Sequence, residues 1–173
     1  MAKTTLVKSS SAMLRWMAPF LSFTAEEAWK VFDGGDSIIT ETFSTFDAPD
    51  TALLAKWTRV RELRNAVNKD IEALRAAGGV GSSLQANVVL TVPAADHAVL
   101  ATLGEGLKFV FITSVADLRL GETLQISVLA SSATKCERCW HWRADVGHDP
   151  AHPTICDRCT SNLYAAGETR TVA

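Results

Sequence analysis

Nowhere does this 173-residue chain hold an apolar run long enough to cross a bilayer; its most apolar early stretch, MLRWMAPFLSF, is short and carries Arg15. That stretch also lacks a small-residue cleavage site and a true apolar core segment, so it does not read as a secretory leader. A strong excess of charge of one sign is missing as well. Seventeen Lys and Arg stand against 19 Asp and Glu, a formal net charge of −2. This excludes a strong nucleic-acid field in the average, although a local basic face can still be hidden in it. The sequence has no low-complexity tract, no glycine-rich phosphate loop and no nucleophile elbow, so nothing marks it as a catalyst acting alone. Cysteine is scarce, with four in all. Without an export signal the expected compartment is a reducing cytoplasm, where structural disulfides are rare, and that tilts the thiols toward metal.

What remains is a composition typical of a globular protein, 47% hydrophobic and 21% charged. Residues 1–11 show little hydrophobic period and read as a loose start. From Ala12, the residues Met13, Trp16, Met17, Phe20 and Leu21 recur three or four apart and predict a helix, with Pro19 kinking it or lying near its end. Thr24 and Glu27 have capping-box spacing ahead of a short helix that stops at Gly34 and Gly35. Residues 36–48 read as an extended strap. Asp47 to Asp50 form a helix entrance, after which Leu53, Trp57, Val60, Leu63, Val67, Ile71 and Leu74 predict a helix of about six turns closed by Gly78 and Gly79. LQANVVLTV reads as a strand, residues 94–112 as helix broken near Gly104 and Gly106, and VADLRL and LQISVLAS as two more strands about a turn at Gly121. The expected class is α+β: a helical bundle fragment over 1–48, a long helix with a small three-stranded sheet over 49–130, and a four-cysteine zinc ribbon over 131–173, with ASSAT as linker.

The strongest chemical signal is C-x2-C-x16-C-x2-C, made by Cys136, Cys139, Cys156 and Cys159. Two C-x2-C turns facing one another present four thiolates to one ion, and the spacing lies in the zinc range. Neither pair opens a helix in a βαβ unit, as a redox motif would. Spacing leaves an iron site of rubredoxin type open. Four thiolates already fill a structural site, so His141, His148 and His152 are expected on the surface or around the centre. A closed site has no position for water, which argues against hydrolytic metal chemistry. One structural zinc, holding a segment too short to bury a core, is the expectation.

Two surfaces could serve a partner. The long helix carries Lys56, Arg59, Arg61, Arg64, Lys69 and Arg75 against four acids; a solvated face with local ion pairs and an RNA-facing surface are both open. In the cysteine segment Lys135, Arg138, Arg143, Arg158 and Arg170 are matched by Glu137, Asp145, Asp149, Asp157 and Glu168. This is no simple phosphate clamp. RNA contact there would need local placement of Arg138, Arg143 or Arg158 and stacking by Trp140, His141 or Trp142, whose alternative role is packing over the metal turns.

CERCWHW, DVG, HPTICDRCTSNL and GETRTVA closely resemble the carboxyl end of bacterial isoleucyl-tRNA synthetases. MAPFLSFTAEEAW resembles a late helix of that family's anticodon-binding bundle, and RNAVNKDIEALRAAGGVGSSLQANVVL and LKFVFITS fit the family's next elements. The likeness covers residues 12–173; the first eleven do not fit it and suggest a junction or a split reading frame. By this resemblance the parent enzyme joins isoleucine to its tRNA with ATP in a catalytic domain that this chain lacks, along with the editing domain. The chain itself would hold isoleucine tRNA, work with the remainder of the synthetase as a cytoplasmic monomer without membrane contact, and bind zinc through Cys136, Cys139, Cys156 and Cys159. Arg59, Arg61, Arg64, Arg138, Trp140 and Arg143 are its candidate RNA contacts. A free-standing zinc-ribbon adaptor for another protein is the alternative, and a thiol redox protein a weaker third.

Overall fold

The computed structural model describes residues 2–168, with side chains from Thr4 onward. The chain divides into two compact units, the first ending at Pro49 and the second beginning at Asp50.

In the first unit α1 (Ala2–Met17) and α2 (Ser22–Phe32) are followed by a single 3-10 turn at Ile38–Thr40. Ala25, Trp29 and Ile38 form its small core, with Leu14, Met17 and Ala18 packed against them. The segment after α2 is tied back by side chains. Glu26 accepts from the Ile38 amide and the Ser37 hydroxyl, both at 2.9 Å, and these bonds, the amide's foremost, hold its carboxyl below the usual range. Arg15 lies 4.8 Å from the Trp29 ring centroid and pairs with Glu41 at 2.8 Å.

Two local expectations are corrected here. Residues 2–11 are not a loose start but the first turns of α1. They contain no Pro or Gly, so a helix nucleated by the packed residues beyond them extends back at little cost. Thr24 is not an N-cap. Phe20 and Leu21 bond back to the Met17 carbonyl, α2 starts at Ser22, and Thr24 therefore sits inside the first turn.

The second unit is built on α3 (Thr51–Ala76). Asp50 caps it by accepting from the Leu53 amide at 2.9 Å. At the other end Gly78 takes φ +76°, its N–H reaches the Arg75 carbonyl, and the Gly79 N–H reaches that of Leu74. This is the paired-bond stop in which only glycine avoids a Cβ penalty. Val60, Leu63, Val67 and Ile71 are buried on one stripe of α3, as the spacing predicts, whereas Leu53 is half exposed.

That stripe covers a sheet ordered β2-β1-β3, with β1 (Ala86–Val92) in the middle, β2 (Val115–Leu120) parallel to it and β3 (Gln125–Ala130) antiparallel. Ala86, Val88, Leu90 and Val92 alternate inward along β1 and join the α3 residues in one core with Leu100, Leu103, Leu107 and Phe111. The last four come from α4 (Ala94–Ala101), the turn after it, and α5 (Leu107–Phe111), which form the crossover a parallel pair requires. β2 and β3 are consecutive in sequence yet do not pair. The α+β class is as expected.

Candidate metal centre and nucleic-acid interface

After β3 the chain does not loosen. The Ser131 amide bonds to the Gln85 carbonyl at 2.7 Å, and Ser131 is buried. β4 (Thr134–Lys135) then pairs with β5 (Trp142–Arg143) across the first cysteine turn. Within that turn the Cys136 amide donates to the His141 carbonyl and the Trp140 amide to the Cys136 carbonyl, both at 2.9 Å. Closing so tight a loop drives Trp140 to φ +64°, an unusual conformation for a side chain of that size. The second turn differs in kind. Cys156 is the residue before α6 (Asp157–Tyr164), and Cys159 lies in its first turn. Gly147, at φ +83°, keeps the intervening loop closed; a Cβ there would lie 2.9 Å from the Pro153 carbonyl oxygen.

The four sulfurs thus come from a hairpin and a helix start. They lie within 4.8 Å of one another, and Cys136–Cys159 and Cys139–Cys156 are each separated by 3.8 Å. Sulfurs about 2.3 Å from a central ion at tetrahedral angles stand about 3.8 Å apart, the separation of these two pairs, so the cluster has the size of a four-thiolate zinc site. No other group of three or more His, Cys, Asp or Glu among the described residues is placed to hold a metal. Burial raises the Cys136 thiol, but amides of Cys139, Cys156 and Arg138 outweigh it and bring the pKa down to about 6. Burial pushes Cys139 and Cys156 up instead. Burial thus opposes the thiolate form at Cys139 and Cys156, and a bound dication would supply the compensating charge there.

His141 stands beside the centre rather than in it. Its Nδ1 donates to the Cys139 carbonyl at 3.1 Å, since a carbonyl can only accept. Burial lowers its pKa. The ring also meets Phe109 edge-on at 5.5 Å, and Arg158 lies 5.0 Å over the same Phe109 ring. Ser114 completes this seam, accepting from the Trp142 amide at 2.6 Å while its hydroxyl donates to the Leu84 carbonyl. The finger is thereby fastened to the end of α5 and the start of β2. Nothing in the spacing of Phe109 or Ser114 marks them for this; only folding brings them to the finger.

The six residues expected to face RNA stand in different situations. Arg59 grips Asp96 with two bonds of 2.7 Å and Glu62 with a third of 2.7 Å. Arg143 holds Asp145 by a similar fork at 2.8 and 2.7 Å. Hydrogen bonding to these partners raises both guanidinium pKa values and lowers those of Asp96 and Asp145. Arg64 is half-buried, and its Nε is buried without a hydrogen-bond partner. Arg61 is exposed, with a 3.4 Å bond to Thr58. Arg138 is exposed too, its Nη1 3.7 Å from the Cys159 sulfur. Trp140 is 59% exposed, with the Lys135 ammonium 5.6 Å from its ring. Arg170 lies outside the described residues.

Fold and site together define an α+β protein with a four-cysteine zinc finger. Residues 134–162 match the family described as "Zinc finger found in FPG and IleRS", and residues 1–90 match "Anticodon-binding domain of tRNA ligase". The chain belongs to the anticodon-binding family of tRNA ligases. It is 52% identical over 181 residues to an isoleucine–tRNA ligase of Ralstonia pickettii, 49% over 185 residues to that of Bordetella parapertussis, and 50% over 182 residues to that of Cupriavidus pinatubonensis. Each alignment takes in 99% of this chain and 19% of the relative, so the chain spans about a fifth of their length. The likeness includes the first eleven residues, correcting the expectation that they fall outside it. The zinc is structural. No helix among the described residues is long and apolar enough to cross a membrane.

Proposed function

We propose that this chain is the tRNA-holding carboxyl-terminal portion of an isoleucine–tRNA ligase, and that it grips isoleucine tRNA while the rest of the enzyme carries out aminoacylation with ATP. The observation that carries this is the joint presence, in one chain, of an anticodon-binding match and a zinc-finger match whose four cysteine sulfurs lie within 4.8 Å of one another. In this reading Cys136, Cys139, Cys156 and Cys159 are the zinc ligands. The division is a partial anticodon-binding region over 1–48, an α+β unit over 49–130 and the finger over 131–173. The enzyme works in the cytoplasm as a monomer.

The remainder of the synthetase is the natural cover for the first unit, where Phe23 is 87% and Val31 90% exposed, more apolar surface than a unit of this size leaves bare without reason. Of the six candidate RNA contacts, Arg61, Arg138 and Trp140 are readiest to meet tRNA, being exposed and without a carboxylate partner among the described residues. Arg59, Arg64 and Arg143 support them from their paired or half-buried positions.

The test is isoleucine-tRNA binding as a function of salt, with a non-cognate tRNA beside it. Arg61→Ala should lower the salt slope by about one unit, as one phosphate contact is lost. Trp140→Ala should cost about 1–3 kcal/mol with the slope unchanged. A parent chain that shows no salt-dependent tRNA binding overturns the reading and puts a zinc-ribbon adaptor for another protein in its place.

A further inference from the structure

The finger carries a hollow of about 390 Å³ that the sulfur centre does not use, lined by Glu137, Arg138, His152, Ile155, Leu163 and Tyr164 among others. Two of these side chains form a flat platform. The His152 imidazole and the Tyr164 phenol lie face to face, their centroids 3.9 Å apart and their planes 2° from parallel. His152 covers one face of Tyr164, yet Tyr164 keeps 62% of its surface exposed, so its other face is open to solvent. Leu163 beside it is also exposed, at 46%. Arg138 brings a cation to the same hollow, its guanidinium steadied by the Cys159 sulfur at 3.7 Å.

We propose that this hollow is a base-stacking subsite, in which an unstacked base of single-stranded RNA extends the His152–Tyr164 stack on the open face of Tyr164. The inference rests on the tRNA-binding reading and adds His152 and Tyr164 to it. Three features select this occupant. Parallel rings present a planar π-face, which suits any nucleobase regardless of sequence. The Arg138 cation meets the phosphate that every stacked base brings with it. Glu137 also lines the hollow, and a carboxylate can accept from a base N–H, so the hollow offers recognition to the ring edge as well as the face. An aliphatic peptide side chain would use neither the planarity nor the two opposite charges.

Tyr164 is the single tyrosine of the chain, which makes the test direct. In protein carrying ring-labelled ¹³C-tyrosine, an RNA hairpin with a single-stranded loop should shift the ring protons upfield, and inorganic polyphosphate, which offers charge without bases, should not. Tyr164→Leu should weaken hairpin binding about tenfold, the loss of one base stack, with zinc retained and the salt slope unchanged. Tyr164→Trp should bind like the parent. If the hairpin binds while the labelled ring stays unshifted, or if Tyr164→Leu binds as the parent does, the subsite is wrong and the tRNA reading survives. If polyphosphate shifts the ring equally, the hollow is an anion contact only and the subsite is again wrong. A parent that binds no hairpin overturns both.

Discussion

Asp96 shows how a single buried carboxylate sets the behaviour of an arginine that composition alone would offer to RNA. Its side chain is 12% exposed and receives the two-bond fork of Arg59, while Arg59 remains 44% exposed. Hydrogen bonding to Arg59 lowers the Asp96 pKa against the opposing effect of burial. A carboxylate whose native pKa is depressed adds stability above its unfolded pKa, near 4, and that stability is lost as pH falls through the lower native value. Asp96→Asn should therefore cost about 2 kcal/mol at neutral pH, discounted from a fully buried pair because Arg59 is screened by water. The deficit should vanish in strong acid. Urea unfolding of parent and variant from pH 7 down to the acid limit measures it; a deficit independent of pH would mean that packing, and not the ion pair, is what Asp96 provides.

At the scale of elements, the α+β unit and the finger stand on different supports. The core of α3, β1, α4 and α5 contains no finger residue, whereas the buried cluster of the finger is Cys136, Cys156 and Cys159, with Cys139, Val146 and Ile155 around it. So small a cluster cannot offset the chain entropy of about 30 ordered residues, and structural zinc supplies about 10 kcal/mol or more of coupled folding. Cys156→Ser, or a chelator, should unfold residues 135–165 and leave the three-stranded sheet protected. Hydrogen exchange read alongside elemental analysis checks this. Loss of protection in β1 together with the metal would show the two to be one cooperative block. Elements differ also in how plainly their residues encode them. α3 is legible because Val60, Leu63, Val67 and Ile71 repeat its period between a capping Asp50 and Gly78. The start of α1 is not, because residues 2–11 lack the period and form helix only as an extension of the packed turns beyond them. Thr24 misleads for a related reason: a cap depends on where the preceding chain turns, and the bonds to the Met17 carbonyl decide that.

For the whole molecule, the chain spans 19% of the length of the Ralstonia pickettii relative. With no glycine-rich phosphate loop in the sequence, the isolated chain should show no isoleucine-dependent exchange of pyrophosphate into ATP. Exchange above that of a heat-killed sample would refute its reading as an appendage. What the sequence by itself determined is whatever is encoded over short distances. The metal centre is the plainest case, since two C-x2-C turns dictate four thiolates around one ion wherever the segment lies. Periodicity and glycine stops likewise specified α3 and the strands. Tertiary structure alone decided which strands meet: β2 and β3 are consecutive, yet both pair with β1 because the α4–α5 crossover carries β2 to its far edge. It alone decided that Arg59 answers to Asp96, 37 positions away, and that Ser114 holds the finger through Trp142. Such partners are chosen by packing of the assembled core, and no local pattern of residue types records a pairing that exists only after the chain has closed.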